Sequence, residues 1–525
     1  MDNGIGQWAT KHAIIDTHRT ALVDDRRSVT YAEFDARTTA VARALRENGV
    51  GEGDRVALLS LNSIEYLEVI FAVAKLGAIT VPLNFRLAAR ELAYILRDAS
   101  VTAYVFDSRL GELAVGSVVD HDVDMALPVS IGELEHGLRQ RLEGATGGPV
   151  REFATLGVDS PEPWEGEVDG DTVALILYTS GTTGNPKGAM ITHDNLRANA
   201  VHSAFMGSGI GRYDATITVT PLFHVGGLCV HTLSLLYYGG KVVIQEKWDA
   251  RSFVEAMEKE KVTLQFLVPA MWLEVTRMSD LANFDLSAMR YAVSGGAPCP
   301  VTVMEALQGL GWLFLEGFGM TETTANTLVL DAESATSKRG SVGLPLMHVD
   351  ARVGGPGDEE LPVGEIGELL LRGPNIAMGY WGRDEATAES WRNGWFHSGD
   401  LCRVDEDGYF YIVDRKKDMV ISGGENVYPA EVEQILHRHE GVQDVAVIGV
   451  PHEKWGETVV AVVTERPGAD LDEAQVIEFC RAHLAHYKCP TKIVVVDELP
   501  RTATGKLLKR DLRQRFGGTE SAVTR

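Results

Sequence analysis

YTSGTTGNPKGAM, residues 178–190, decides how the rest of the chain is read. The run leading into it, Val173-Ala174-Leu175-Ile176-Leu177-Tyr178, is apolar and predicts a buried strand. A strand that ends in a loop of glycines, hydroxyls and one lysine is suited to hold an anion. Glycines let backbone N–H groups approach the charge, and Thr and Ser hydroxyls add donors. The loop is not a Walker A motif, which needs G-x-x-x-x-G-K-[ST] opening a helix. Here Asn185-Pro186 separates Gly184 from Lys187, and Gly188 follows the lysine. A polar surface turn is the bland alternative, so the identity of the anion must come from the rest of the chain.

The bulk properties narrow the field. At 525 residues the chain is too long for one core, and about three packed units are expected at ~100–200 residues each. Apolar content of 45% and charged content of 23% are those of a globular protein. A net charge of −25 argues against generic nucleic-acid binding and against an anionic membrane surface. Any anionic ligand must meet locally gathered positive charge. Cys229, Cys299, Cys402, Cys480 and Cys489 are scattered, odd in number and without C-x-x-C spacing. They point to a reducing cytoplasm rather than to disulfides or zinc. MDNGIGQWATKH lacks the basic-then-apolar pattern of a signal peptide, no apolar run approaches the ~20 residues of a membrane span, and SAVTR is no recognised address.

The first third alternates helix and strand. Thr30-Tyr31-Ala32-Glu33 is a capping-box pattern opening a helix to about Asn48. Arg55–Leu59 reads as a strand, Asn62 or Ser63 caps a helix ending near Gly77, and Ile79-Thr80-Val81 is a strand again. Such alternation implies a parallel sheet with right-handed crossovers. Residues 131–170 are acidic and Gly/Pro-marked, and read as a surface excursion. Alternation resumes at 171 and runs past 300. From 340 to 415 short strands and turns suggest a small antiparallel or barrel-like unit, and a compact α+β stretch follows Lys417. The expected class is therefore α/β. It comprises Rossmann-like αβ subdomains and the barrel-like piece in residues 1–416, and a small mobile α+β domain in 417–525.

Further motifs stand in a fixed order: PLFHVGG (221–227), SGGAP (294–298), EGFGMTE (316–322), GELLLRGPNIAMGYW (367–381), GWFHSGDL (394–401), DRKKDMVISGGENVYPAEVE (414–433) and PRTATGKLLKR (500–510). With the opening loop, this set resembles the adenylate-forming enzymes: acyl-CoA synthetases, adenylation domains and luciferases. The resemblance covers almost the whole chain and is nearest to fatty- or aryl-acid CoA ligases. It implies two half-reactions. A carboxylate attacks the α-phosphate of MgATP to give acyl-AMP and pyrophosphate, and the thiol of CoA then displaces AMP. Both partners in the first step are anions, so positioning and charge stabilisation are what the site must supply.

The resemblance also assigns roles. Thr179, Ser180, Gly181, Thr182, Thr183, Gly184 and Lys187 would wrap the β- and γ-phosphates; a solvated surface lysine is the plain alternative for Lys187. Thr321 would touch the α-phosphate, and Glu322 would ligate Mg²⁺, which prefers oxygen. Glu316, Gly317, Phe318, Gly319 and Met320 would border adenine and the acid's carboxylate, with Gly295, Gly296, Ala297 and Pro298 beside them. Phe318 stands where the family commonly has Tyr, which keeps ring stacking and loses a hydroxyl. Asp400 and Arg415 resemble the ribose-binding pair, and Lys506 the lysine that bridges acid and α-phosphate. Lys417 resembles the hinge about which Ser422, Gly423, Gly424 and Glu425 swing in to line the pantetheine tunnel. His224 is read either as lying between the acyl pocket and the thiol path or as a core histidine. Cys299 reads as packing.

CoA is the expected acceptor, with a carrier protein loaded in trans as the alternative. A catalytically silent nucleotide binder is disfavoured because Lys187, Glu322, Asp400, Arg415 and Lys506 are all present. Amino-acid substrates are disfavoured because His224, Val225, Gly226 and Gly227 offer no anion to an ammonium group. Gly226, Gly227, Gly295, Gly296, Ala297, Gly317, Gly319 and Met320 suggest a roomy apolar pocket, suited to a medium-chain fatty, aromatic or alicyclic acid. The remaining expectations are a small-molecule acid partner, no nucleic acid, no membrane insertion and an open oligomeric state, with a homodimer allowed.

Overall fold

Local signals are used as the sequence suggests. Thr30 accepts the Glu33 N–H at 3.2 Å while the Glu33 carboxylate takes the Thr30 N–H at 2.8 Å, and the helix Tyr31–Glu47 starts there. Ser63 caps Ile64–Lys75 by accepting from Tyr66. The computed structural model describes residues 4–157, 164–179, 185–423, 425–501 and 507–517.

These elements build a seven-stranded sheet ordered Arg151–Glu152, Leu127–Ile131, Ala103–Asp107, Arg55–Leu59, Ile79–Pro82, Val173–Thr179 and Lys187–Thr192. All neighbours are parallel except the last pair. The chain after the glycine-rich loop thus returns as an antiparallel strand, not as the helix of a Walker fold.

The reading of 131–170 as a mere excursion is corrected. His136–Thr146 is a helix capped by Glu135, and Arg151–Glu152 adds the sheet's edge strand. Only Leu138 and Leu142 of that helix are buried. Two apolar residues in eleven are too few to stand out against acidic surroundings.

A four-stranded sheet orders Ala215–Thr218, Lys241–Ile244, Thr20–Val23 and Ser28–Thr30. A five-stranded sheet orders Leu264–Leu267, Tyr291–Ser294, Phe314–Phe318, Leu328–Val329 and Leu344–Pro345. Trp272, Phe253, Val303 and Phe314 pack into one core that reaches both sheets through Ile217 and Ala292.

The chain divides into two compact units, Met1–Arg339 with Gly343–Asp350 and Arg372–Gly394, and Gly340–Val342 with Ala351–Leu371 and Trp395–Arg525. In the second, Trp395–Val404 pairs antiparallel with Gly367–Arg372 and with Phe410–Arg415. Its other sheet is centred on the long hairpin Val442–His452 and Gly456–Glu465, with Lys492–Val495 parallel beside it. Val432, Val445, Val459, Ala461, Val463 and Cys480 fill the space under the helices Pro429–Leu436 and Glu473–His483.

Candidate active site

The strand Phe314–Phe318 delivers the EGFGMTE segment to a tight turn. Thr321–Thr323 is a short 3-10 helix, followed by Thr324 at φ 55° and Ala325 at φ 82°. Two consecutive non-glycine residues in the left-handed region cost on the order of 1–3 kcal/mol each. The surroundings hold them there. Thr324 Oγ1 donates to the Asn375 carbonyl at 2.8 Å, and Asn375 Nδ2 donates to the carbonyls of Thr323 (2.9 Å) and Asn326 (3.1 Å). The Asn326 N–H donates to Asn199 Oδ1 at 2.9 Å. Gly319 cannot be replaced without moving this turn, because a Cβ there would lie 1.3 Å from the Ala325 carbonyl oxygen. Thr321 is half-buried and Glu322 is buried.

Glu322 and Lys187 are brought together by Tyr380. The segment around Gly379 adds to the strand Lys187–Thr192: Met190 N–H donates to Gly379 O, and Trp381 N–H to Gly188 O. That pairing points Tyr380 inward. Its hydroxyl donates to Glu322 Oε1 at 2.8 Å, and the Lys187 ammonium lies 5.2 Å from its ring centroid. Tyr380 lies within a motif that the sequence displays, but nothing local singles it out. The available signal is its place next to Gly379 in a strand-like run, which periodicity alone does not rank. Thr179 ends the partner strand, its hydroxyl 3.5 Å from the Lys187 carbonyl.

The glycine-rich segments meet at Phe266. A Cβ on Gly226 would meet Phe266 Cε1 at 3.2 Å, and one on Gly295 would meet Phe266 Cε2 at 3.3 Å. One aromatic ring therefore lies against both segments. Gly296, Ala297 and Pro298 are exposed, and Glu316 accepts the Cys299 N–H at 3.1 Å. Burial, reinforced by the nearby Glu316 charge, pushes the Cys299 thiol up, so this residue packs and is not poised as a thiolate. His224 is half-buried, packs 4.5 Å from the Phe223 ring, and has its Nε2 out of solvent without a partner among the described residues. Burial, with a smaller contribution from Arg86, lowers its pKa to about 4, so the ring is neutral at pH 7. Gly317, Phe318 and Met320 are half-buried.

In the second unit Asp400 and Arg415 face each other across neighbouring strands, with Arg415 Nε 2.5 Å from Asp400 Oδ1. Burial lowers the pKa of Lys417. Ser422 and Glu425 pair across the hairpin Val420–Val427. Gly423 sits at φ 61°, its N–H donating to the Trp455 carbonyl at 2.8 Å. Ser180, Gly181, Thr182, Thr183, Gly184, Gly424 and Lys506 lie outside the described residues.

Comparison with known proteins identifies the family. The family described as AMP-binding enzyme matches residues 10–381, and the AMP-binding enzyme C-terminal domain matches 431–506. A feruloyl-CoA synthase from Amycolatopsis is 40% identical over 520 residues, covering 98% of this chain and 100% of that protein. A long-chain fatty acid–CoA ligase from Mycobacterium tuberculosis is 35% identical over 518 residues, covering 98% and 99%. The solved structure of o-succinylbenzoate CoA synthetase from Bacillus subtilis, in complex with its acyl-adenylate intermediate, superposes with a TM-score of 0.85 at 30% identity, covering 99% of each chain. The chain belongs to the AMP-binding enzymes, the adenylate-forming superfamily. It is an enzyme of the acid–thiol ligase class, an AMP-forming acyl-CoA synthetase that uses ATP and CoA.

The residues present fit a magnesium ion. Glu322 offers a buried carboxylate whose one engaged oxygen meets a neutral hydroxyl. No group of three or more His, Cys, Asp or Glu that could hold a metal exists among the described residues. A single carboxylate suits Mg²⁺, which takes one or two protein oxygens and fills its shell with phosphate oxygens and water.

Proposed function

We propose that this enzyme activates an aryl carboxylic acid as its acyl-adenylate and passes the acyl group to CoA. The observation that carries the acid class is the Phe266 ring lying against Gly226 and Gly295. The two glycines let their backbone pack directly on this ring, and an aromatic ring beside the segments that would border the acid favours a planar ring over a flexible chain. The acids named for two of the relatives, feruloyl and o-succinylbenzoate, are aryl acids.

In this reading an oxygen of the acid's carboxylate attacks the α-phosphorus, the bond to the bridging oxygen breaks, and pyrophosphate leaves. Thr179 and Lys187, with the loop between them, hold the departing phosphates. Thr321 orients the α-phosphate, and Tyr380 fixes the Glu322 carboxylate. Glu322 would hold a magnesium ion, which would neutralise phosphate charge. Asp400 and Arg415 bind the ribose hydroxyls, and Lys506 bridges acid and phosphate in this first step. In the second step the CoA sulfur attacks the acyl carbon and AMP leaves. Lys417 serves as the pivot between the steps, with Ser422, Gly423 and Glu425 beside the pantetheine arm. Neutral His224 lies between acyl pocket and thiol path. We place the enzyme in the cytoplasm, since all five cysteines are free and buried. Among the described residues no helix is long and apolar enough to cross a membrane.

The test is pyrophosphate release over a panel of benzoates, cinnamates and short, medium and long fatty acids, with and without CoA. Turnover confined to aryl acids and dependent on CoA supports the reading. Preference for a fatty acid overturns the acid class, and release without thioester formation points to a carrier protein as acceptor.

A further inference from the structure

We propose that His231 recognises a terminal hydroxyl on the ring of the acid, so that the enzyme selects hydroxylated over unsubstituted aryl acids. The inference rests on the aryl-acid reading above and adds a residue and a substituent to it.

The observation is a small polar void beside Gly226 and Phe266. It measures ≈10 Å³ and is lined by Gly226, Gly227, Phe266, His231, Thr218 and Thr232, among others. Gly226 and Gly227 line this void and also belong to the glycine set expected to border the acid, so the void adjoins the candidate acyl-binding segment. A space of that size holds about one oxygen atom, the size of a water, and no alkyl chain.

His231 is the unsatisfied group on this void. Its side chain is buried, and neither Nδ1 nor Nε2 has a hydrogen-bond partner among the described residues. The threonines do not serve it. Thr218 and Thr232 hydroxyls bond each other at 2.6 Å, and Thr232 also donates to the Gly227 carbonyl at 2.6 Å. The Tyr291 ring lies edge-on to it at 5.8 Å between centroids. A fully buried imidazole with two idle nitrogens carries a desolvation cost that a ligand or water can relieve.

The chemistry matches a hydroxyl. Burial lowers the His231 pKa to about 3, so the ring is neutral at pH 7. Neutral imidazole presents one donor and one acceptor, and a hydroxyl offers the same pair in return. An acid lacking the hydroxyl leaves the imidazole unpaired and is bound less well.

The experiment compares kcat/KM for 4-hydroxycinnamate and cinnamate, read as CoA-dependent pyrophosphate release, in wild type, His231→Phe and His231→Gln. Wild type is expected to favour the hydroxylated acid by about 10- to 100-fold. His231→Phe should bring the ratio to within a few-fold of one, and His231→Gln, which keeps a donor and an acceptor, should retain part of it. A merely structural histidine would change both rates and leave the ratio alone. A wild-type ratio near one, or a ratio unchanged in the variants, overturns the proposal; the wild-type ratio decides even where a variant fails to fold. Turnover of fatty acids with neither cinnamate accepted overturns the aryl reading and this proposal together.

Discussion

The Tyr380 hydroxyl donates to the Glu322 carboxylate at 2.8 Å, joining two residues 58 apart in sequence. The same ring faces the Lys187 ammonium at 5.2 Å. One side chain thus orders the candidate magnesium ligand and the candidate phosphate lysine, through its hydroxyl and its π-face respectively.

Tyr380→Phe separates the two contacts, because the ring stays and only the donor goes. A hydrogen bond to a charged group is worth about 1.5–3 kcal/mol. Adenylation should slow by about 10- to 100-fold, with a higher magnesium requirement. Pyrophosphate release titrated against Mg²⁺ checks this; wild-type rate and wild-type magnesium response would remove Tyr380 from the site.

Gly319→Ala should be poorly tolerated. The added carbon would sit 1.3 Å from the Ala325 carbonyl oxygen, inside a turn already holding two left-handed residues. Relief requires moving that backbone, at a cost of about 3 kcal/mol or more. Gly309→Ala is the control: it closes the helix Val301–Gly309, and a Cβ there meets nothing within 4 Å. That change should be neutral or stabilise by up to about 1 kcal/mol. Thermal melts of both variants, with adenylation assays, test the contrast.

The local elements were legible in the sequence wherever their signal was local. The Thr30–Glu33 capping box and the apolar run Val173–Tyr178 gave a helix and a strand at the expected places. The helix His136–Thr146 was hidden because it buries only Leu138 and Leu142. Among the residues the proposed reading uses, the motifs gave roles to Glu322 and Lys187, Tyr380 stands in a motif without a role, and Phe266 and His231 lie outside the motifs. Those three stand out only through long-range relations: Tyr380 by strand addition at Gly379, Phe266 by lying between two distant glycines, and His231 by its two unsatisfied ring nitrogens. None of these relations has a sequence period.

Acid should destabilise the fold through buried neutral histidines. Burial lowers the pKa of His193 and His202 to about 4 and of His231 to about 3. His193 shows the neutral form directly, since its Nδ1 accepts the Ile5 N–H at 3.1 Å. In the unfolded chain these groups titrate near 6.5. The unfolded state therefore binds more protons from about pH 6.5 down to about 4, and for His231 down to about 3, and stability falls as pH falls through that window. A group brought to about 4 can account for at most about 3 kcal/mol, and His231, brought to about 3, for at most about 5 kcal/mol. Melting temperature measured from pH 8 to pH 4 should drop mainly below 6.5. His202→Gln should flatten the slope, and an unchanged slope would mean that other groups govern acid lability.

Lys506→Ala should separate the two half-reactions. If Lys506 bridges the acid and the α-phosphate only while the adenylate forms, its removal takes away charge stabilisation of that step and nothing else. Losing one such preorganised group costs about 10²–10³ in rate. Pyrophosphate release should fall by that factor, while conversion of supplied acyl-adenylate to the CoA thioester should proceed near the wild-type rate. Because the lysine would be absent from the second step, raising CoA should not rescue the first. Lys417→Pro offers the complementary case: a restrained pivot should hinder the change between steps while leaving a single adenylation turnover measurable. Equal loss of both half-reactions in Lys506→Ala would refute the division of labour between them, and with it the role assigned to Lys417 as the pivot.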